Sequence, residues 1–501
     1  MSLGILGRNA AFSVAQVGIS AVLLFALYRV LIHFITIADV GLWSLVMAST
    51  SVARLSEMGL GGGVVRFVAA DLGRGDGRKA AVTIGMSLAL VTGMILLASA
   101  LLYPIFQIGL EKALPQEMLP NGLVLLRYAV ASLVLTTIAN VFLSALDGMQ
   151  RMDLRATTQL GGSIVQLVAA LVLVPAHGVL GLGPVQIITA CFTLVVAAVI
   201  AIRQIRQPLA AWWTWDRKRA RELVKYGGGL QVAAVGQLLF DPTVKVLLTY
   251  FGGLAFTGYY EMANRMMLQF RSMIVSAYNA LVPFVAGRLE TSSDRHGDVR
   301  RVYIQSFRFL FVTAFAYYGV IGAALPFVLT LWLGHFEPAF LAIATLCWLG
   351  WWANTMVGPS YFLYLAVGRL RWAVTAQLTI GVLNLIFAWA LGLAFGGAGV
   401  LIGSALGLAL GGGVTLIAFH LEHHISLRDC IPFEALPLAS AMLVGATACI
   451  AFAIHLTAPT LIQFAAGPAL VGIVAAAMLW HQPVYRALWT RMRAILPRSA
   501  S

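Results

Sequence analysis

The chain has 501 residues, 60% hydrophobic and only 10% charged, with a mean hydropathy of +0.90. That balance excludes a water-soluble globular core and points to an all-α, polytopic membrane protein. The formal charge of +14 raises nucleic acid as a partner, and the placement of the charge, taken up below, excludes it.

In chain order the apolar runs predict about fourteen membrane helices, each needing about twenty apolar residues. They fall near 10–33, 40–63, 81–106, 122–146, 157–176, 179–201, 224–250, 255–285, 305–333, 338–367, 371–394, 397–419, 433–456 and 459–480. The first run follows a short start holding only Arg8 and contains Arg29, so it reads as a retained anchor rather than a cleaved signal. With the N-terminus inside, basic residues cluster in the inner loops, as at Arg66, Arg74, Arg78 and Lys79 or Arg217, Lys218, Arg219 and Arg221. The outer loops hold only Lys112. This one-sidedness is the positive-inside pattern, and it makes both termini cytoplasmic. The basic charge is therefore topological, and no nucleic-acid partner is expected.

Residues 202–222 carry Trp212, Trp213 and Trp215 beside Arg217-Lys218-Arg219, a composition suited to a segment lying at the lipid headgroups. The tail from Pro483 to Arg498 alternates apolar residues with arginine and reads as a basic surface anchor. Gly403, Gly407 and Gly411 form a small-residue stripe for close helix packing. His420, His423 and His424 have ligand-like spacing but sit at a helix end beside Glu422, and read as an interfacial polar cap. The four cysteines, Cys191, Cys347, Cys430 and Cys449, lie far apart, so no disulfide framework, metal site or cofactor is expected.

An internal repeat organises these runs. A shift of 217 places Phe34 on Phe251, Ala38 on Ala255, Gly41 on Gly258, Trp43 on Tyr260 and Arg54 on Arg271. A shift of 220 places Phe142-Leu143 on Phe362-Leu363, Gly148 on Gly368 and Arg151 on Arg371, and a shift of 221 places Gly178-Val179-Leu180 on Gly399-Val400-Leu401. Two six-helix lobes in the same orientation follow, related by an axis along the membrane normal. The expected organisation is an N-lobe over 1–201, a cytoplasmic linker over 202–222, a C-lobe over 223–420, two added helices over 421–480 and a basic tail over 481–501.

The stretch Leu248–Met273 carries the sharpest functional signal. It reads as a helix end, a tight outer loop at Gly252, Gly253 and Gly258, and a second helix bearing Glu261, Arg265 and Arg271. A charge at a helix centre in lipid costs roughly 2.5–3.5 kcal/mol on insertion scales, so such residues face a bundle interior or a wet cavity. The embedded cations are Arg29, Arg54, Arg127, Lys245, Arg265 and Arg271, and the embedded acids are Glu57, Asp241 and Glu261. Arg54 with Glu57, Asp241 with Lys245 and Glu261 with Arg265 stand three or four apart, the spacing of a helix-face ion pair. Arg29, Arg127 and Arg271 have no such neighbour, which predicts a cationic cavity. A guanidinium fork matches phosphate oxygens two at a time, so the ligand expected there is an anion such as a diphosphate. Salt bridges to the same acids are the competing reading for each arginine.

The segments ADVGLWSL…RLSEMGL at 38–60, LDGMQRMDLRA at 146–156, FTGYYEMANRM at 256–266 and LAVGRLRWAV at 365–374 resemble the polysaccharide-transport flippases of the multidrug, oligosaccharidyl-lipid and polysaccharide exporter superfamily. The likeness covers most of residues 1–420 and departs at Met152, where the family more often has an aromatic. It implies a two-lobed bundle in the cell inner membrane that moves a polyprenyl-diphosphate-linked sugar to the outer leaflet. Cavity arginines of the related lipid II flippases carry over to Arg29, Arg54 and Arg265, with an acid at Glu57. The implied partners are that substrate, membrane lipids and polysaccharide polymerase machinery. Alternating access would use Pro242, Pro283 and Pro326 as candidate kinks.

Two other readings compete. A multidrug cation antiporter of the same superfamily should carry surplus buried acid, and this chain has the reverse. A membrane polymerase or ligase should carry a large outer catalytic loop, whereas the longest expected here, around 107–121, is short. The chain has no Gly-Lys dipeptide and therefore no Walker A loop, and it also lacks HExxH and GxSxG. It reads as a transporter and not an enzyme.

Overall fold

The computed structural model describes residues 3–51, 58–279, 295–367, 369–456 and 461–482. Arg54, Glu57, Pro283 and the tail from 483 lie outside the described residues. The first half comprises α1 (Leu3–Phe34), α2 (Ile37–Ser51), α3 (Met58–Gly73), α4 (Gly77–Ala113), α5 (Leu119–Gly148), α6 (Met152–His177), α7 (Leu182–Ile205) and the short α8 (Leu209–Trp212). There follow α9 (Arg217–Asn279), α10 (Arg295–Leu333), α11 (Pro338–Met356), α12 (Gly358–Val367), α13 (Leu370–Glu422), the short α14 (Leu427–Cys430), α15 (Leu436–His455) and α16 (Leu461–His481). No strand occurs among the described residues.

Eight stretches of the described residues are long and apolar enough to cross a bilayer, and two of them, Met152–Ile205 and Arg371–Glu422, each run through two of the expected spans. Helices satisfy every backbone polar group internally, which hydrocarbon requires. Their outer faces are apolar: Ile462, Leu470 and Ile473 of α16 are 83%, 64% and 67% exposed. Faces of that kind suit lipid and not water, and the protein is a multi-pass membrane protein.

Helix ends follow local chemistry. Asp76 caps α4 by accepting the Lys79 N–H at 3.0 Å, and that bond holds its carboxyl below the usual carboxylate range. Asp216 caps α9 through the N–H groups of Lys218 and Arg219. Glu337 caps α11 ahead of Pro338, whose missing N–H is no loss at a first helical position.

Several boundaries differ from expectation. The outer loop expected over 107–121 shrinks to 114–118, because α4 runs on to Ala113 and α5 begins at Leu119. The run 338–367 is two helices, α11 and α12. In the 248–273 stretch the break is Gly253 alone, at φ 81 and ψ 175, a conformation open to glycine. Gly258 lies inside the helix, where its missing side chain serves packing.

Two places in the chain share a backbone geometry. Gly178, which ends α6, has φ 58 and ψ −139, and Gly396, inside α13, has φ 60 and ψ −144. A Cβ on Gly181 would strike the Leu173 carbonyl, and one on Gly399 would strike the Leu391 carbonyl. All three correspondences (173 with 391, 178 with 396, 181 with 399) share a shift of 218. The match of Gly178-Val179-Leu180 to Gly399-Val400-Leu401 stands at a shift of 221, three residues from this one. Closer to the start, a Cβ on Gly41 of α2 would strike the Leu254 carbonyl of α9, and one on Gly258 of α9 would strike the Ile37 carbonyl of α2. Each contact becomes the other under the shift of 217.

By packing the chain divides into two compact units, residues 1–276 with 377–407, and residues 277–376 with 408–501. In the first, a core built on Val64, Val68, Ile84 and Leu146 receives Trp212 of α8. The Trp212 ring is buried, while Trp213 and Trp215 are 74% and 61% exposed, so only the latter two are left for the headgroup role expected of all three. In the second unit Trp348 donates to the Tyr318 carbonyl at 2.8 Å, and the Tyr318 hydroxyl pairs with Thr355 at 2.8 Å.

Candidate functional site

The charges of α9 on either side of the Gly253 break meet in one chain of contacts whose middle, Lys245 and Glu261, is buried. The break folds the two arms of α9 back against each other, so residues sixteen apart in sequence come into contact. Lys245 Nζ lies 2.7 Å from Asp241 Oδ2 and 2.8 Å from Glu261 Oε2, and Arg265 Nε lies 2.7 Å from Glu261 Oε1. Two neutral groups complete the Glu261 carboxylate: Ser44 Oγ of α2 donates to it at 2.9 Å and the Tyr28 hydroxyl of α1 at 3.2 Å. Asn264 Nδ2 and the Tyr260 hydroxyl donate to Asp241 Oδ1 at 3.1 and 3.4 Å.

Burial decides what each group is free to do. Lys245 is 3% exposed and Glu261 4%. Such groups are tolerated in a low-dielectric interior only when paired and hydrogen-bonded, and here Lys245 meets two carboxylates and Glu261 four donors. The Arg265 side chain, held by Nε, is 52% exposed. The two acids and two bases cancel, so the network carries no net charge. Any positive surplus rests on Arg29, Arg54, Arg127 and Arg271. Of these Arg29 on α1 and Arg127 on α5 are exposed, Arg271 on α9 is half-buried, and Arg54 with Glu57 lies outside the described residues.

Tyr28 and Ser44 were not legible as site residues from their types, since a lone tyrosine or serine in an apolar run carries no signal. The expected repeat offered a signal. A shift of 217 carries Tyr28 onto Lys245 and Ser44 onto Glu261. The four positions meet at the Glu261 carboxylate, and the earlier pair is neutral where the later pair is charged.

Arg265 faces an open-sided cavity of about 210 Å³ bordered by α1, α6 and α9, with Ser20, Ser163, Gln166 and Gln269 among its walls. A second buried ion pair lies elsewhere in the same unit. Asp71 of α3, 1% exposed, accepts from Arg219 Nη2 at 2.7 Å and from Thr83 Oγ1 at 3.0 Å. The Arg219 guanidinium also lies over the Phe67 ring, 5.0 Å from its centroid. This pair ties the start of α9 to α3 and α4. The histidines at the end of α13 do not converge: His420 is engaged by Tyr303 and the Ile425 carbonyl, each at 2.9 Å. Among the described residues no three groups are arranged to hold a metal.

Comparison with known proteins places this architecture. Across 98% of its length the chain superposes on all of a solved lipid II flippase, MurJ in an inward closed conformation, with TM-score 0.69 and 14% identity. An inward-facing multidrug resistance MATE transporter of the MOP superfamily superposes with TM-score 0.65 and 15% identity, over 82% of this chain and 94% of that one. A MOP superfamily transporter from Pyrococcus furiosus, whose binding pocket is described as of reverse polarity, gives TM-score 0.61 and 14% identity, over 84% and 95%. At such identities these likenesses speak for the fold. No curated protein matches the chain. The sequence does match the family described as polysaccharide biosynthesis protein over residues 6–287. That match spans more than half of the chain, and the chain belongs to the polysaccharide biosynthesis protein family.

Proposed function

We propose that the protein is a flippase that carries a polyprenyl-diphosphate-linked oligosaccharide from the cytoplasmic to the outer leaflet of the cell inner membrane. It works by alternating access between two six-helix lobes, about fourteen helices in all, with both termini cytoplasmic. The observation that carries this reading is Arg265: Glu261 orients its Nε at 2.7 Å while half of the side chain stays exposed on a polar cavity. A guanidinium fixed in this way offers nitrogen donors to phosphate without first having to be ordered. The family and the lipid II flippase neighbour support a lipid-linked substrate. Arg29, Arg54, Arg127 and Arg271 supply the surrounding positive field. Lys245, Asp241 and Glu261 hold the site together, with Lys245 acting through Glu261 on the aim of Arg265. The reciprocal glycine contact of α2 and α9 supports the two-lobe repeat.

A membrane potential negative inside favours outward movement of an anion by about 2.3 kcal/mol per charge per 100 mV, so a diphosphate lipid needs no ATP to move outward. The cation antiporter reading requires carboxylates open to substrate, and Asp241 and Glu261 both already face Lys245. The test is outward flipping of a polyprenyl-diphosphate sugar in liposomes. Arg265→Gln is expected to slow it at least about tenfold, the loss of one charge-assisted bond, and Arg54→Ala and Arg271→Ala to slow it less. Wild-type rates in all three variants would refute the proposal.

A further inference from the structure

The cavity beside Arg265 has walls whose chemistry the anion reading leaves unused. We infer that it is the subsite for the first sugar ring of the substrate, with Gln166 and Gln269 as the residues that recognise the ring's hydroxyls. The inference rests on the proposal that Arg265 takes the diphosphate.

Two observations, joined to the chemistry of such a substrate, carry it. In a diphosphate-linked glycan the first ring is bonded directly to the distal phosphate, so it must lie beside whichever group binds that phosphate. The cavity adjoining Arg265 is walled by two amides, Gln166 and Gln269, and two hydroxyls, Ser20 and Ser163, with leucines between them. Each amide offers both a donor and an acceptor, the pairing that vicinal sugar hydroxyls present. Among the described residues no protein group pairs with the Gln166 or Gln269 side chains, whereas the buried acids nearby are fully engaged. Polar side chains inside a membrane bundle without protein partners are expected to face water or a polar ligand.

Size and charge narrow the ligand. At about 210 Å³ the space falls below the ~300–1,000 Å³ of sites for drug-sized ligands, which suits one ring and not a whole oligosaccharide. No carboxylate lines it, so a ring bearing a free amine has no counter-ion there. A neutral or N-acetylated sugar fits. The polar wall also continues: Gln159, Ser163 and Gln166 stand at positions i, i+4 and i+7 of α6, and Gln159 accepts from Gln16 of α1 at 3.3 Å. That stripe offers further hydroxyl partners to rings beyond the first.

The experiment measures binding to the purified protein of bare polyprenyl diphosphate and of the same lipid carrying one glucose, galactose or N-acetylglucosamine. The wild type is expected to prefer at least one sugar form over the bare lipid by about tenfold, the worth of one or two well-made hydrogen bonds. Gln166→Leu and Gln269→Leu should each remove most of that preference and leave the bare lipid bound as before, which also reports that the variants are folded. A wild type with no preference, or glutamine variants that keep it or weaken both lipids alike, overturns the sugar subsite. Failure of the underlying reading looks different: Arg265→Gln would then bind the bare lipid as tightly as wild type.

Discussion

Replacing Lys245 with Met tests whether the buried charges form one unit. The ammonium touches two carboxylates in different surroundings. Glu261, 6% exposed at its side chain, would keep Arg265, Ser44 and Tyr28 and lose one charge-assisted bond, about 1.5–3 kcal/mol. Asp241 is 39% exposed and keeps Asn264 and Tyr260, so its loss counts at the surface value of about 0–1 kcal/mol. The expected destabilisation is therefore about 2–4 kcal/mol. It is read from reversible SDS titration of the protein in mixed micelles, followed by tryptophan fluorescence. The double variant Lys245→Met with Glu261→Gln should be more stable than the sum of the two single losses by at least about 1 kcal/mol, because the two charges left without an ion-pair partner, Asp241 and Arg265, are the partly exposed ones and no fully buried charge is stranded. A single variant within about 1 kcal/mol of wild type, or strict additivity in the double, would refute the network as an energetic unit.

Other expectations follow from the same contacts. Gly41→Ala and Gly258→Ala each drive a methyl into a backbone carbonyl of the facing helix. Both should destabilise by about 1–3 kcal/mol and by similar amounts in the same titration, so a neutral result at either position contradicts the close approach. Arg219→Ala strands Asp71, 1% exposed, with Thr83 alone, and should cost about 3–5 kcal/mol. Lys79→Ala, which removes an exposed pair with Asp76, should change little, and equal effects in the two would contradict this ranking. Burial pushes the Cys430 thiol from 9.0 up to about 11, so mass spectrometry after iodoacetamide treatment of the folded protein at pH 8 should find it unmodified. Because the folded state holds that proton more tightly, the associated stability is complete below about pH 9 and is lost between pH 9 and about 11. Rapid alkylation at pH 8 would contradict the burial.

Much of the helical plan was written in the spacing of apolar residues. So were the pairs Asp241 with Lys245 and Glu261 with Arg265, because a helix sets positions four apart on one face. What spacing along one helix could not reveal is that Lys245 bridges to Glu261 across the Gly253 break, since that contact depends on how the chain folds back. The Asp71–Arg219 pair, 148 residues apart, had no local signature at all. Tyr28 and Ser44 were within reach, but only by following the repeat at positions where the two copies differ instead of where they agree. The α6 stripe at Gln159, Ser163 and Gln166 was also readable as three polar positions on one side of an apolar helix. Its closure into a cavity with Arg265 was not, because α1 and α9 supply the other walls.

The paired glycines Gly41 and Gly258 carry a lesson about what joining two copies in one chain permits. In a symmetric dimer of a half-length chain, a residue beside the two-fold axis meets its own twin, and whatever change it suffers is suffered on both sides at once. A lysine facing that axis would confront a second lysine. Copies linked in tandem would instead be inherited separately, and on the repeat reading one keeps Tyr28 and Ser44 where the other holds Lys245 and Glu261. The opposite charges of Lys245 and Glu261 are then an asymmetry open to a fused pair and closed to an identical one.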